Sequence, residues 1–67
     1  MGSEKAAYYF LKSEYLRNSE SWVSAKDVSS AIDLSIDRTR RVLTGLVLGG
    51  LVVTKIDGWR NYYKYKR

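Results

Sequence analysis

The hydrophobic period of the chain changes at Gly49-Gly50. Upstream of this pair, apolar residues recur at helical spacing. Downstream, "LVVTKIDGWRNYYKYKR" alternates apolar and polar residues about Asp57-Gly58, the strongest short hairpin signal. A two-residue turn at Asp57-Gly58 would pair Ile56 with Trp59 and Val52 with Tyr63. Val52, Thr54, Ile56, Trp59, Asn61, Tyr63 and Tyr65 then share one mostly apolar face. Val53, Lys55, Arg60, Tyr62, Lys64 and Lys66 share the other, which is basic. A hairpin with one apolar face needs cover for it. The expected class is α+β, with helices first and a hairpin over residues 51–66.

The first element, "EKAAYYFLKSEYLRN", has strong helix formers and no breaker until "NSES". Ala7, Tyr8, Leu11 and Tyr15 lie on one side at i, i+3, i+4 spacing, whereas Tyr9 and Leu16 lie on roughly the opposite side. A surface helix needs one apolar stripe, and this one carries two. Trp22 to Ser24 reads as a short extended piece. Ser24 then reads as the N-cap of a second helix, Ala25 to about Ile32, which buries Ala25, Val28, Ala31 and Ile32. "DLS" is a tight turn, and Ser35 caps a third helix that runs to about Leu48, with Asp37 in its first turn. At about 100° per residue, Ile36, Thr39, Leu43, Leu46 and Val47 gather on its inner face. Arg38, Arg41 and Gly45 lie opposite, and Arg40 falls nearer the packing seam. Gly45 is out of place in a helix interior, which suggests a close approach to that face or a bend.

Sixty-seven residues make one domain, 1–67, and a core of that size is marginal. The chain has no Cys and no His, which excludes disulfides, the common zinc sites and the usual nucleophile–base pairs. Asp33 and Asp37 straddle a turn beside arginines and read as capping. Neither an enzyme nor a cofactor or metal site is expected, and so small a core leaves no room for a small-molecule pocket. No apolar run approaches a membrane span, and no charged leader precedes an apolar core, so the expected location is cytoplasmic or nucleoid-associated.

The net charge of +5 is unevenly placed. Residues 1–34 carry four basic and five acidic groups, and residues 35–67 carry eight basic groups against Asp37 and Asp57. All the excess positive charge therefore lies in the second half. Such asymmetry points to a polyanion, either nucleic acid or an acidic membrane surface. Six tyrosines could suggest base stacking on single strands, but Tyr63 and Tyr65 are better explained as core, and Tyr8, Tyr9 and Tyr15 lie in the less basic half.

Helix, short strand, helix, tight turn, helix, hairpin: in this order "WVSAKDVSSAIDLSIDRTRRVLTGL" followed by "GGLVVTKIDGWRNYYKY" resembles the winged helix-turn-helix family of small transcriptional regulators. The resemblance implies sequence-specific binding of double-stranded DNA, with a recognition helix over 35–48 in the major groove and the hairpin wing on the backbone or in the minor groove. It assigns DNA contacts to Ser24 and Lys26 at the second helix, and to Ser35, Asp37, Arg38, Arg40, Arg41 and Thr44 at the third. Lys55, Arg60 and Lys64 fall on the wing. Arg38 and Arg41 are the candidates for base edges, since Arg to guanine is the commonest specific pairing in the major groove. Thr39 departs from the pattern, standing where the family places a larger inward aliphatic residue. Ile56 and Trp59 sit near the wing tip, where they cover each other, meet a partner chain or wedge against DNA.

The first helix's second apolar side suggests a homodimer, with Tyr8, Tyr9 and Leu16 at or near its interface. The rival function is a protein-interaction winged helix, a subunit of a transcription or replication complex, whose charge would meet an acidic protein.

Overall fold

A computed structural model describes residues 2–67. Helix α1 (Gly2–Arg17) spans the breaker-free stretch and stops where Asn18 offers the backbone an alternative to another helical turn. Asn18 Oδ1 accepts from the Glu20 amide at 3.0 Å, and the Asn18 carbonyl accepts from the Ser21 amide at 3.0 Å. A two-residue strand, β1 (Val23–Ser24), follows. Both expected serine caps are present. Ser24 Oγ accepts from the Asp27 amide at 3.2 Å to start α2 (Ala25–Ile32), and Ser35 Oγ accepts from the Arg38 amide at 3.3 Å to start α3 (Ile36–Leu48). Between them Asp33 takes the left-handed conformation, φ 56°, and the Leu34 amide closes back onto the Ser29 carbonyl at 3.1 Å. A short polar side chain is among the few that tolerate this backbone.

α3 ends in a Schellman motif: the Gly50 amide donates to the Val47 carbonyl and the Leu51 amide to the Leu46 carbonyl, each at 3.0 Å. Of the two glycines, Gly50 is the one that needs to be glycine, with φ 77° against −79° at Gly49. The chain then enters β2 (Val52–Asp57) and returns as β3 (Arg60–Tyr65). The sheet is antiparallel with order β1-β3-β2, so the last strand in sequence lies in the middle.

The hairpin register differs from the expected one by two residues. Asp57 pairs with Arg60, Ile56 with Asn61 and Val52 with Tyr65, so the turn residues are Gly58 and Trp59 rather than Asp57 and Gly58. Gly58 has φ 69° and Trp59 has no positive φ, the pattern of a type II′ turn with glycine at its first central position. A slip of two leaves every side chain on its face, because the pleat repeats every two residues. Two residues exchange roles: Trp59 moves from a paired inner-face position into the turn, and Asp57 moves from the turn into the strand.

The elements share one core: Ala7 and Leu11 of α1, Val23, Ala25 and Val28, Leu43 and Leu46 of α3, and Val52 and Tyr63 of the sheet. Each of the wholly buried Leu11, Leu43, Val28 and Val52 contributes about 1.5–3 kcal/mol by leaving water. Two expectations of burial fail: Ala31 is exposed and Ile36 is 38% exposed. The rest of the expected α3 inner face is present, with Thr39, Leu43 and Leu46 buried and Val47 packed against the core, and Val42 joins it on the other flank. α1 packs against α3 on the Val42 side, which brings Val42 onto the core. Thr39 is wholly buried, and its Oγ1 has no hydrogen-bond partner.

α1 settles its two sides unequally. The Ala7–Leu11 side is in the core, and Tyr8 and Tyr15 stack on Tyr65 with ring centroids 5.6 and 5.4 Å away. Tyr8, expected at a dimer interface, is therefore half-buried against this chain's own sheet. Its phenol is held above the ordinary pKa of 10.0, first by its side-chain hydrogen bond with Tyr65, then by burial and the neighbouring Tyr65 and Tyr9 charges. Tyr9 and Leu16 remain exposed.

Candidate nucleic-acid interface

Three elements meet around an open cleft of about 390 Å³. The start of α2 supplies Ser24, Ala25 and Lys26; the first turns of α3 supply Ile36 and Arg40; and the hairpin tip supplies Trp59, Arg60 and Asn61. Lys26, Arg40 and Arg60 come from separate parts of the sequence, and no Asp or Glu lines the cleft with them. None of the three is in an ion pair: among the described residues the one salt bridge joins Arg17 to Glu14 at 3.3 Å on α1. The first-turn amides of a helix have no intrahelical acceptor and lend its N-terminus partial positive charge. The start of α2 opens directly onto this cleft.

The three arginines of α3 separate around the helix. Two residues correspond to about 200° of rotation, so Arg38 and Arg40 sit on nearly opposite flanks. Arg40 lines the cleft. Arg38 instead lines a second depression, with Gly2, Ser3, Glu4 and Ala6 of α1 and with Ile32 and Val42. Arg41 points outward between them and is exposed, as are Asp37 and Thr44. Arg40 therefore lies beside the packing seam, as expected, whereas Arg38, expected to point straight out, lies towards α1. Taking Ile36 as an inner-face residue and leaving out Val42 tilted the expected inward direction away from Arg38. Ser35 is a cap at the exposed end of α3, outside the cleft lining.

Gly45 faces α1. A Cβ placed there would meet Glu4 Oε2 at 3.4 Å, the end of a flexible side chain, so no backbone approach demands glycine.

On the outer sheet face, Lys55 and Lys64 are not free-standing cations. Their ammonium groups lie 4.7 and 5.0 Å from the Trp22 ring centroid, within cation–π range. Sequence reasoning gave Trp22 no role beyond starting an extended piece. The signal lies in the register. Val23 pairs with Tyr63 in β3, which puts Trp22 opposite Lys64, and Lys64 pairs with Val53 in β2. The Thr54 hydroxyl ties the hairpin further by donating to the Tyr62 carbonyl at 2.9 Å. Beyond this point the inner face runs out of core. Ile56 is 74% and Trp59 95% exposed, so the two do not cover each other.

Among the described residues no group of acidic side chains is placed to hold a metal ion, and no helix is long and apolar enough to cross a membrane. No family model, curated protein or solved structure matches the chain.

Proposed function

We propose that this is a winged helix-turn-helix protein that binds double-stranded DNA sequence-specifically, as a small transcriptional regulator that occludes a promoter or recruits to it. The observation that carries this reading is the convergence of Lys26, Arg40 and Arg60 on one cleft without a carboxylate among its lining residues. Unpaired cations brought together from three elements repel one another, and a polyanion relieves that repulsion. In this reading α3 enters the major groove with Arg40 and Arg41 leading, while the start of α2 and Arg60 meet phosphates on either side. Lys55 and Lys64, held over Trp22, follow the backbone along the wing.

Fluorescence anisotropy with a labelled mixed-sequence duplex across a salt series tests the reading. If each protomer neutralises about four phosphates, log K falls against log salt with a slope of about −3.6. Binding that ignores salt rules out the duplex as the partner. An acidic protein captured in its place favours the rival role, a subunit of a larger transcription or replication complex.

The exposed Tyr9 and Leu16, seven residues apart on the outer side of α1, are proposed as the contact of a homodimer. A two-fold pair would set two α3 helices about 34 Å apart, one turn of DNA. Sedimentation equilibrium decides this: a species at 7.7 kDa overturns the dimer, whereas a dimer dissociated by Tyr9→Glu or Leu16→Glu, but not by Lys12→Glu, locates it.

A further inference from the structure

Trp59 is the most exposed large apolar side chain described in the protein, and the turn gives no reason for it. The special backbone of the turn is supplied by Gly58. The second central position of a II′ turn is ordinarily filled by a small polar residue. Trp59 buries nothing, pairs with nothing across the hairpin, and stands at the rim of the cleft beside Lys26, Arg40 and Arg60. Ile56, two positions before the turn glycine, is exposed with it.

The occupant of this rim must satisfy two demands at once. A purely apolar protein surface covering the indole would strip water from three cations and return no charge, which is unfavourable. A purely anionic surface would leave the indole in water. Nucleic acid meets both demands, because phosphates and flat apolar base faces alternate along it within a few ångströms.

We infer that Trp59 is a wedge, set against the base faces of the duplex at one edge of the site and opening a base step there while the cleft cations hold the flanking phosphates. This rests on the duplex-binding reading above and adds to it a residue that deforms the DNA. The hairpin suits the task. Its tip extends about 13 Å beyond the buried Tyr63, at 3.3 Å per residue, and the Thr54–Tyr62 bond stiffens its base. Pyrimidine–purine steps unstack most readily, so the wedge favours them.

The test compares wild type, Trp59→Phe and Trp59→Ala on a mixed-sequence duplex of about 20 base pairs, two helical turns. Trp22 is the only other tryptophan, so the difference between wild-type and Trp59→Phe emission isolates Trp59. The wedge predicts that this difference signal is quenched on duplex addition and saturates together with anisotropy. Trp59→Ala should bind about tenfold more weakly with an unchanged salt slope, because no phosphate contact is lost. End-labelled duplex should show bending with wild type and less with Trp59→Ala. Matching thermal melts would exclude unfolding as the cause. If wild type binds the duplex while Trp59 emission is unmoved and Trp59→Ala binds equally well, the wedge is overturned and the duplex-binding reading stands. If wild type does not bind the duplex at low salt, both fall. Emission that changes with protein concentration in the absence of DNA makes the tip a self-association contact and overturns the wedge.

Discussion

Replacing Thr39 with valine should stabilise the protein. Thr39 is 0% exposed in the middle of the α3 inner face, and its Oγ1 makes no hydrogen bond. Its backbone amide is already engaged with the Ser35 carbonyl at 2.9 Å, so the loss lies in the hydroxyl alone. A buried hydroxyl without a partner costs about 1–3 kcal/mol. Valine has nearly the same shape, keeps the β-branch and its rotamer restriction, and puts a methyl where the hydroxyl was. Taking the lower half of that range, the expected gain is about 1–2 kcal/mol. For a domain of this size each kcal/mol raises Tm by about 4–8 °C. Urea melts followed by circular dichroism supply the free energy, and Thr39→Ser is the control. Serine keeps the orphaned hydroxyl and loses a methyl, so it should destabilise by about 1 kcal/mol. A valine variant no more stable than wild type refutes the reasoning, because the hydroxyl must then be satisfied, by a buried water or by the Ser35 carbonyl in another rotamer. Thr39 points away from the cleft, so DNA affinity should not follow stability in this series.

Arg40→Ala should weaken duplex binding more than Arg38→Ala, by about 1–3 kcal/mol if Arg40 meets a base edge; anisotropy titrations that rank them the other way would restore Arg38 as the reader. Gly45→Ala should raise stability by about 0.5–1 kcal/mol through helix propensity, since only the mobile end of Glu4 stands in the way, and a chemical melt checks it. Leu43→Ala should cost about 2–5 kcal/mol and leave a partly unfolded chain visible by circular dichroism at room temperature. Because the folded state raises the pKa of Tyr8, its contribution to stability is full below pH 10.0 and is lost as pH rises from there through the higher folded value. Absorbance titration of wild type against Tyr8→Phe should show this late-titrating phenol, and Tyr65→Phe should bring it back towards the ordinary value.

The order of elements and both serine caps were legible because each is a local matter. A serine before an apolar periodic run, or glycines after one, act within a few residues. The hairpin register was not local. Asp57-Gly58 as a I′ turn and Gly58-Trp59 as a II′ turn fit the same alternation, and the choice between them sets where Tyr63 falls against Thr54 and Val23. The faces were readable and the partners were not. The rotation of α3 failed for a related reason. Ile36 is apolar and pulls the apparent stripe towards itself, but the packed position of Val42 depends on another helix. Helix geometry alone separates Arg38 from Arg40, but which of them meets the α2 start and the hairpin tip is decided by tertiary packing that the sequence does not display. Trp22 beneath two lysines was hidden because its partners lie on strands far away in sequence.

The central place of β3 has a consequence for how the protein comes into being. β1 and β2 do not pair with each other; both pair only with residues 60–65. The same strand supplies Tyr65, on which Tyr8 and Tyr15 of α1 rest. The opening and closing segments are thus joined through one late element, and their contacts have the long sequence separation that slows folding. A chain still emerging from the ribosome exposes all three helical segments before β3 can complete the sheet. Its helices then lack the cover of Tyr63 and Tyr65, and folding waits for the arrival of β3. Once that strand docks, its two neighbours and α1 are secured together, which makes the transition all-or-none. A stalled or clipped chain that ends before residue 60 is therefore expected to be degraded as an unfolded one, not to persist as a helical fragment without its sheet.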